Sequence, residues 1–321
     1  MALIYFLTTQ MMLFAIPLLV VALGAMFAER SGVINIAMEG IMVIGALASI
    51  SFIHVMQNNN VLSGNLLLLL AILVAGLAGI IYSLLHAYAS IHMRADQTIS
   101  GTALNLAAPA LAIFIGRMVS ITGNQQIAFS NQFRLAKVPL LGDIPVLGPM
   151  FFRGAYITTY IGLGILAVSA VVLYRTRFGL RLRACGEHPQ AADSVGVNVY
   201  KMRYAGTLIS GMLGGIGGLI FVVPTATEFN ATVSGYGFLA IAVLIFGQWK
   251  PMRILFAAFF FGIMKTISAT YSVIPILAGV GIPSDIYKMI PYIATLIVLA
   301  FSSRNSRAPR AEGIPYDKGS R

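Results

Sequence analysis

Residues 66–90 read LLLLLAILVAGLAGIIYSLLHAYAS and contain no Asp, Glu, Lys or Arg. About 20 consecutive apolar residues are enough for a helix to cross the roughly 30 Å hydrocarbon core of a bilayer. Because backbone polar groups cannot bond to water there, such a run predicts a membrane-spanning α-helix. Comparable runs recur along the chain, so we predict an all-α, polytopic membrane protein with about nine transmembrane helices. The candidate spans are approximately 8–28, 36–56, 66–90, 98–116, 155–174, 204–223, 235–248, 253–272 and 288–302.

The amino-acid composition agrees with this interpretation. Hydrophobic residues make up 58% of the 321 residues and charged residues only 10%, too few to cover a soluble core with a hydrated surface. The net charge of +11 does not indicate nucleic-acid binding, because the basic residues lie in short gaps between apolar runs. They indicate orientation and contact with membrane lipid instead. The single cysteine, Cys185, excludes an intramolecular disulfide.

The basic residues also predict the topology, since Lys and Arg in short loops stay on the cytoplasmic side of a membrane. The loop at about 175–203 and the end of the chain are both rich in them. We therefore predict a transmembrane domain over 1–302 with its amino terminus outside, and an external, turn-rich loop at about 117–154. Residues 303–321 combine charges with Pro and Gly, which predicts a disordered cytoplasmic tail.

A weak internal similarity raises the possibility of an inverted repeat. Residues 77–80 followed by Ser100-Gly101 resemble residues 213–216 followed by Ser234-Gly235. In the predicted topology the two units have opposite orientations, as in many transporters. The alternative is a chance match within a small apolar alphabet. Two of the candidate spans, 235–248 and 288–302, are also short enough to be broken or re-entrant helices.

The span at 204–223 contains an unusual number of small residues. They are Ser210, Gly211, Gly214, Gly215, Gly217 and Gly218. Such a helix lets a neighbouring backbone approach closely, so the pattern predicts tight helix packing rather than a direct role in transport.

Polar and ionisable residues within the spans are candidates for a transport pathway, because a charge at mid-membrane needs a partner or a wet cavity. Glu39 follows Asn35 by one helical turn, and Lys265 lies on one face with Ser268. Asn105 gives the fourth span a polar face of its own. We predict that Asn35, Glu39, Asn105 and Lys265 line the path. A structural Glu39–Lys265 pair, or snorkelling of either side chain to the interface, is the alternative.

The cytoplasmic loop contains the most specific motif, Glu187-His188-Pro189-Gln190-Ala191-Ala192-Asp193-Ser194-Val195-Gly196. Pro189 can start a short helix and Gly196 can end it, with two alanines between them that a partner groove can approach. A basic loop that touches lipid head groups is the alternative. The segment resembles the E-A-A-x-x-x-G loop of ABC importer permeases, with Gln190 in place of the Glu. The resemblance implies that Glu187, Gln190, Ala191, Ala192 and Gly196 form a coupling helix that docks on an ATPase subunit.

Two further motifs strengthen the resemblance and narrow it. Residues 30–40, RSGVINIAMEG, and residues 235–243, GYGFLAIAV, are similar to motifs of the permeases of branched-chain amino acid and simple-sugar importers, most closely of their nucleoside-importing branch. Together the three motifs cover the chain from about 28 to 302 in the family's order. Besides Gln190, the chain departs from the family at residues 248–251, QWKP, where relatives are usually glycine-rich.

The resemblance implies a multi-pass permease of the bacterial inner membrane that carries nucleosides. Its partners would be an ATP-binding subunit, a second permease subunit and an extracellular or periplasmic substrate-binding protein. The chain has no Gly-x-x-x-x-Gly-Lys-Ser/Thr phosphate loop, so ATP hydrolysis is expected on a separate subunit. We expect no catalytic residues, no metal site and no cofactor in this chain.

Two other classes of function are alternatives to a permease of an ATP-driven importer. An ion-coupled secondary transporter of a small polar solute would use Glu39 as its titrating group, but it would have no need of the Ala-Ala/Gly segment. A membrane-embedded enzyme would need a cluster of catalytic side chains within the spans. The four histidines, His54, His86, His92 and His188, are instead scattered singly.

Overall fold

The computed structural model describes residues 2–119, 123, 125–139, 141–278, 283–302 and 308–318. The protein is a bundle of α-helices with two very short antiparallel sheets. The helices are α1 (Ala2–Arg30), α2 (Met38–Asn58), α3 (Gly64–Ile91), α4 (Gln97–Val119), α5 (Ile157–Arg175), α6 (Arg177–Glu187), α7 (Pro189–Ser194), α8 (Val199–Thr225), α9 (Tyr236–Phe246), α10 (Pro251–Thr270), α11 (Pro275–Ala278) and α12 (Ser284–Ser302).

The prediction of an all-α, polytopic membrane protein is confirmed. In the described part of the chain, 7 helices are long and apolar enough to cross a membrane, namely α1, α2, α3, α4, α5, α8 and α10 with its short continuation. The other two predicted spans correspond to α9 and α12. Helix α9 is only 11 residues long, too short for a straight crossing, and it is either a broken or a re-entrant helix. Helix α12 begins at Ser284 and is longer than its predicted span.

The glycine-rich helix α8 lies at the centre of the bundle and packs against α1, α2 and α3. Its glycines allow backbones to touch, since a Cβ on Gly45 of α2 would overlap the Gly215 backbone. Likewise, a Cβ on Gly79 of α3 would overlap the Gly211 carbonyl. The predicted tight packing is therefore confirmed. Van der Waals contact between backbones replaces the hydrophobic driving force that is missing between helices in lipid.

We expect the substitution Gly215→Val to prevent stable folding in the membrane. A side chain there would meet the Ala75 carbonyl and the Gly79 Cα, which belong to rigid helix backbone and cannot move aside. Gly164→Val in α5 is the matched control, because a Cβ at Gly164 meets nothing within 4 Å. Fluorescence-detected gel filtration of solubilised protein measures the outcome. A monodisperse Gly215→Val peak of normal height would contradict the expectation.

The segments compared as an inverted repeat pack directly against each other, because 77–80 lies in α3 and 213–216 in α8. Their flanking Ser-Gly pairs differ in context: Ser100-Gly101 lies within α4, whereas Ser234-Gly235 precedes α9. The repeat itself stays a prediction.

The predicted external loop 117–154 contains more ordered structure than its turn-rich sequence indicates. Strands β1 (Ile127–Ala128), β2 (Arg134–Lys137) and β3 (Arg153–Tyr156) lie in it, and β4 (Glu228–Phe229) follows α8. β1 pairs with β4, with Ile127 opposite Phe229, while β2 pairs with β3. The first sheet ties the loop to the connection between α8 and α9. Residues 120–122, 124 and 140 of the loop lie outside the described residues.

Residues 308–318 of the tail, for which the sequence predicts disorder, are packed against the rest of the protein in the structure. This segment packs against the face that carries α6 and α7, which the basic residues assign to the cytoplasm. The Ala311 amide donates to the Gly186 carbonyl at 2.8 Å, and the Tyr316 side chain is buried. Backbone hydrogen bonds and one aromatic anchor offset the polar composition on which the prediction of disorder was based. Residues 303–307 and 319–321 lie outside the described residues.

Candidate functional site

A non-helical segment, residues 31–37, separates α1 from α2 inside the bundle, and polar side chains from neighbouring helices bind its backbone. The Ile34 amide donates to the Gln97 side-chain oxygen at 2.7 Å. The Ile34 carbonyl accepts from His86 Nε2 at 2.8 Å, and His86 Nδ1 lies 3.1 Å from the Ser100 hydroxyl. Unwound backbone in a membrane needs such partners, because no water replaces them.

Asn35 and Asn105, two of the predicted path residues, bind the same segment and the start of α2. Asn35 is buried and donates to the Ser210 hydroxyl at 2.9 Å. Asn105 donates to the Ile36 carbonyl at 2.8 Å and accepts from the Gly40 amide at 2.7 Å. Both amides therefore use their polar atoms inside the protein, where they fix the position from which Glu39 projects.

Glu39 binds the amino-terminal end of the short helix α9. Its two carboxylate oxygens accept from the Gly235 amide at 2.8 Å and the Gly237 amide at 2.6 Å, and Phe238 donates a further backbone hydrogen bond. A carboxylate at a helix amino terminus pairs with free N–H groups and with the positive end of the helix dipole. Gly237 has no room for a Cβ against the Glu39 backbone. The starts of α2 and α9 are thus in direct contact.

This junction lies inside the bundle, away from the turn at 248–250. Helix α9 runs 11 residues from the junction to the turn at 248–250, a rise of about 16 Å. The turn itself is at the carboxyl-terminal end of α1, where the Trp249 carbonyl accepts from Arg30 at 3.1 Å. Two discontinuous helices whose amino termini meet inside the bundle resemble the binding regions of transporters built from broken helices.

Lys265, the fourth predicted path residue, lies near the junction but forms no ion pair with Glu39 or with any other described residue. Its ammonium group lies 5.6 Å from the centre of the Tyr236 ring, a cation–π contact. The Tyr236 hydroxyl is buried and has no hydrogen-bond partner among the described residues. The structural pair considered from the sequence is therefore absent from the described part of the chain.

The cytoplasmic motif forms the short helix predicted from Pro189 and Gly196. Helix α7 spans Pro189–Ser194, and Gly196 has φ +84°, a left-handed conformation suited to glycine. Gln190 and Ala191 are exposed, whereas Ala192 is buried against the body of the protein. Ala191 and Gln190 therefore face outward, and Ala192 fixes the helix to its support.

The surroundings of α7 combine apolar and charged groups on one surface. Val195 is 78% exposed, and the exposed Arg181 lies on the preceding helix α6. Glu187 is turned the other way, with its carboxylate 3.7 Å from the Arg30 guanidinium. Glu187, one of the five residues matched to the coupling loop, therefore contacts α1. The exposed apolar surface around α7 is suited to a protein partner.

The turn at 248–250, where the chain departs from glycine-rich relatives, adopts left-handed backbone. Gln248 has φ 47° and Trp249 has φ 54°. Glycine adopts this conformation without strain, which explains why glycine is usual there. Here the buried Trp249 side chain donates to the Glu29 carboxylate, which offsets the strain.

Glu312 of the tail lies within hydrogen-bonding reach of Glu29, and burial raises the pKa of Glu312 above its ordinary value of 4.5. Arg30 and the Glu29 contact act in the opposite direction but more weakly. A carboxyl whose pKa is raised in the docked state holds its proton there and loses it on release. Docking of the tail is thus strongest below pH 4.5 and weakens as the pH rises through the raised pKa.

We therefore expect a nitroxide attached at Lys318→Cys to become more mobile as the pH rises above 4.5 and the raised pKa of Glu312 is passed. Adding Glu312→Gln should suppress this change, because the amide stays neutral and can donate to Glu29. Electron paramagnetic resonance spectra measure the mobility. An equal pH response with Glu312→Gln would show that another group controls docking.

Three of the four basic residues in the loop 117–154 have local partners. Lys137 pairs with Asp143, Arg153 donates to the Gly142 carbonyl at 2.9 Å, and Arg134 lies over the Tyr156 ring. Arg117 is exposed and borders an open crevice with Gly123 and Gln125.

A larger external cavity of about 770 Å³ lies beside β1, at the end of α2. Its polar lining is used largely in internal contacts. Gln57 exchanges two hydrogen bonds with the Ser130 backbone, and His54 contacts the Ala128 carbonyl.

No group of three or more His, Cys, Asp and Glu side chains that could hold a metal ion is present among the described residues. His86, a single polar residue within the predicted span 66–90, was not predicted to bind the unwound segment, and Gln97 was not predicted as a structural residue. The only sequence signal of Gln97 was its position next to an apolar run.

A family profile described as "Branched-chain amino acid transport system / permease component" matches residues 7–299. A guanosine ABC transporter permease protein of Bacillus subtilis is 43% identical, covering 97% of this chain and 96% of the relative. A nucleoside ABC transporter permease protein of Lactococcus lactis is 40% identical over 96% of both chains. A putative glucose ABC transporter permease protein of Haloferax volcanii is 31% identical, covering 90% of this chain and 88% of the relative. No solved structure matches the sequence.

Proposed function

Because this chain belongs to the family of permease components of branched-chain amino acid transport systems, we propose that it is the translocation subunit of an ATP-driven importer of nucleosides. The observation that carries the proposal is the exposed helix α7, which presents Gln190 and Ala191 on the cytoplasmic face. The relatives named for guanosine and nucleosides support the substrate class, since each matches nearly the full chain.

The proposal includes three protein partners and a location. An ATP-binding subunit docks on α7 and hydrolyses ATP, a second permease subunit completes the pathway, and an extracellular or periplasmic binding protein delivers the nucleoside. The chain resides in the inner membrane of a bacterium. It has no catalytic activity and needs no cofactor of its own.

Within this proposal, the path passes the junction of α2 and α9. Glu39 and Lys265 border it, and Asn35 and Asn105 fix the segment that carries Glu39. The sugar hydroxyls and base edge of a nucleoside match carboxylate, ammonium and amide groups. Binding here is weak, because a tight site would hold the substrate after delivery.

Reconstitution into proteoliposomes with the three partners tests the function. We expect uptake of radiolabelled guanosine that requires ATP and the binding protein and persists when ion gradients are collapsed. Uptake by the chain alone, driven by a proton or sodium gradient, would overturn the proposal in favour of a secondary transporter.

We also propose that the external loop 117–154 contributes to docking of the binding protein. Charge reversal at Arg117, Arg134, Lys137 and Arg153 together should weaken capture by about tenfold, mainly through slower association. Arg117→Glu alone is the sharper variant, because reversing Lys137 or Arg153 also disrupts local contacts with 142–143.

Surface plasmon resonance against the immobilised permease complex measures this affinity. Lys288→Glu provides a charge-matched control on α12, outside the loop. Unchanged affinity in the quadruple variant would exclude the loop as a docking element.

A further inference from the structure

We propose that residues 308–318 form a strap that transmits movement of helix α7 to the segment 31–39. The proposal rests on the proposed function, because it concerns coupling between the ATP-binding subunit and the path. The strap lies at the meeting point of four elements: α6, α7, α8 and the turn between α1 and α2.

The strap donates one backbone hydrogen bond to each of the two elements that it connects. The Ala311 amide binds the Gly186 carbonyl at 2.8 Å, near the end of α6 and just before α7. The Gly313 amide binds the Gly32 carbonyl at 3.2 Å, in the turn that leads into the unwound segment. The same stretch of chain therefore holds the base of α7 and the start of the route to Glu39.

Tyr316 connects the strap to α7 itself. Its buried side chain packs in one cluster with Cys185, Ala192 and Val199, and its ring contacts the Tyr200 ring edge-on at 5.4 Å. Ala192 is one of the two buried residues of α7 and packs in the same cluster as Tyr316, so a displacement of α7 acts on Tyr316. Because packed interfaces move between discrete arrangements rather than deforming freely, this contact can carry a displacement.

Arg203 gives the strap a second anchor. This arginine is 1% exposed, and its Nη1 donates to the Ile314 carbonyl at 2.9 Å. The remaining guanidinium nitrogens, Nε and Nη2, are buried without a partner among the described residues. A buried cation with so few acceptors is energetically costly. Loss of the Ile314 carbonyl would therefore destabilise the first turns of α8, where Arg203 lies.

An ion pair fastens the far end of the strap. Arg94, in the middle of the loop between α3 and α4, forms two hydrogen bonds with the Asp317 carboxylate at 2.9 and 3.0 Å. Both side chains are about half exposed, so this pair contributes little to stability. Its geometry instead fixes where the strap ends, next to the helices that hold His86 and Gln97.

The test compares the complete transporter with complexes that carry Tyr316→Ala, or a chain that ends at residue 307. We expect both complexes to assemble and to retain basal ATP hydrolysis. The number of nucleosides imported per ATP should fall about tenfold, within the usual range of coupling between two sites. Tyr316→Phe should restore the ratio because the ring is kept, and Lys318→Ala, at an exposed position, should leave it unchanged.

The readouts separate the strap from a merely structural role. If the truncated chain fails to fold, Tyr316→Ala still decides, since it keeps the strap backbone and removes the side chain that packs in one cluster with Ala192 of α7. An unchanged ratio of transport to hydrolysis in Tyr316→Ala overturns the strap proposal while leaving the proposed function intact. Absence of ATP-dependent uptake in the unsubstituted complex would instead overturn the proposed function and the strap with it.

Discussion

Replacing Ala191 with arginine is expected to reduce nucleoside uptake to background while the permease remains folded in the membrane. Ala191 is exposed on α7, so the substitution removes no internal contact. It places a long, charged side chain on the surface proposed to enter a groove of the ATP-binding subunit. A buried, unpaired charge at such an interface costs several kcal/mol, which corresponds to at least about a hundredfold loss of affinity.

Co-purification of the ATP-binding subunit and nucleoside-stimulated ATP hydrolysis measure this effect. Thr98→Arg is the matched control, because it adds the same charge at an exposed position in the first turn of α4, away from α7. Ala192→Arg should instead reduce the amount of folded protein, since Ala192 is only 4% exposed. If Ala191→Arg co-purified with the ATP-binding subunit and supported normal hydrolysis, the coupling assignment would be wrong.

Gly196 offers a second approach to the same surface. Its φ of +84° strains any other residue, but a Cβ there meets nothing within 4 Å. Asn tolerates this conformation better than other residues, so Gly196→Asn should retain coupling. Gly196→Trp adds bulk at the docking surface and should uncouple transport without loss of insertion.

The spans and α7 could be predicted from the sequence because their causes are local. A long apolar run specifies a spanning helix wherever it occurs in the chain, and residues 66–90 became α3 almost unchanged. Pro189 and Gly196 act within a few residues of their own position, through fixed φ on one side and left-handed backbone on the other. No tertiary contact is needed for either signal.

The partners of the unwound segment could not be predicted, because they come from distant parts of the chain. His86 and Gln97 meet at Ile34 only after α3 and α4 have packed. The order of 308–318 has the same origin, since its hydrogen bonds go to Gly186 and Gly32. The structure of residues 308–318 depends on the surface that they contact, which their composition does not describe.

The two charged residues of the predicted path also differ in their surroundings in the structure. From the sequence, the same two interpretations applied to Glu39 and Lys265. Both residues line the pore, or they form a structural pair. The structure gives Glu39 three backbone donors at the start of α9 and gives Lys265 only an aromatic face among the described residues. Removing them should therefore have different consequences, although both border the proposed path.

We expect Glu39→Ala to cause the largest loss of folded protein among the four path variants. Removing the carboxylate leaves the N–H groups of Gly235, Gly237 and Phe238 without an acceptor inside the membrane. Each unpaired group there costs several kcal/mol, so the sum is of the order of the stability of a whole domain. Glu39→Gln keeps one acceptor oxygen and should be milder, with less protein inserted and a lower melting temperature.

Lys265→Met is the matched comparison, because it removes a charge of the opposite sign without leaving a backbone group unpaired. We expect it to insert in normal amounts and to melt normally, while uptake falls severalfold through loss of a polar contact along the path. Asn35→Ala and Asn105→Ala should resemble Glu39→Gln, since each removes hydrogen bonds to buried groups.

Immunoblots of isolated membranes, melting curves in detergent and guanosine uptake distinguish these outcomes. Wild-type amounts of Glu39→Ala with a normal melting temperature and no uptake would assign Glu39 to the path alone. Normal uptake by all four variants would remove these residues from the path, and α9 would then have to be held in place by its packing against α1, α2 and α10.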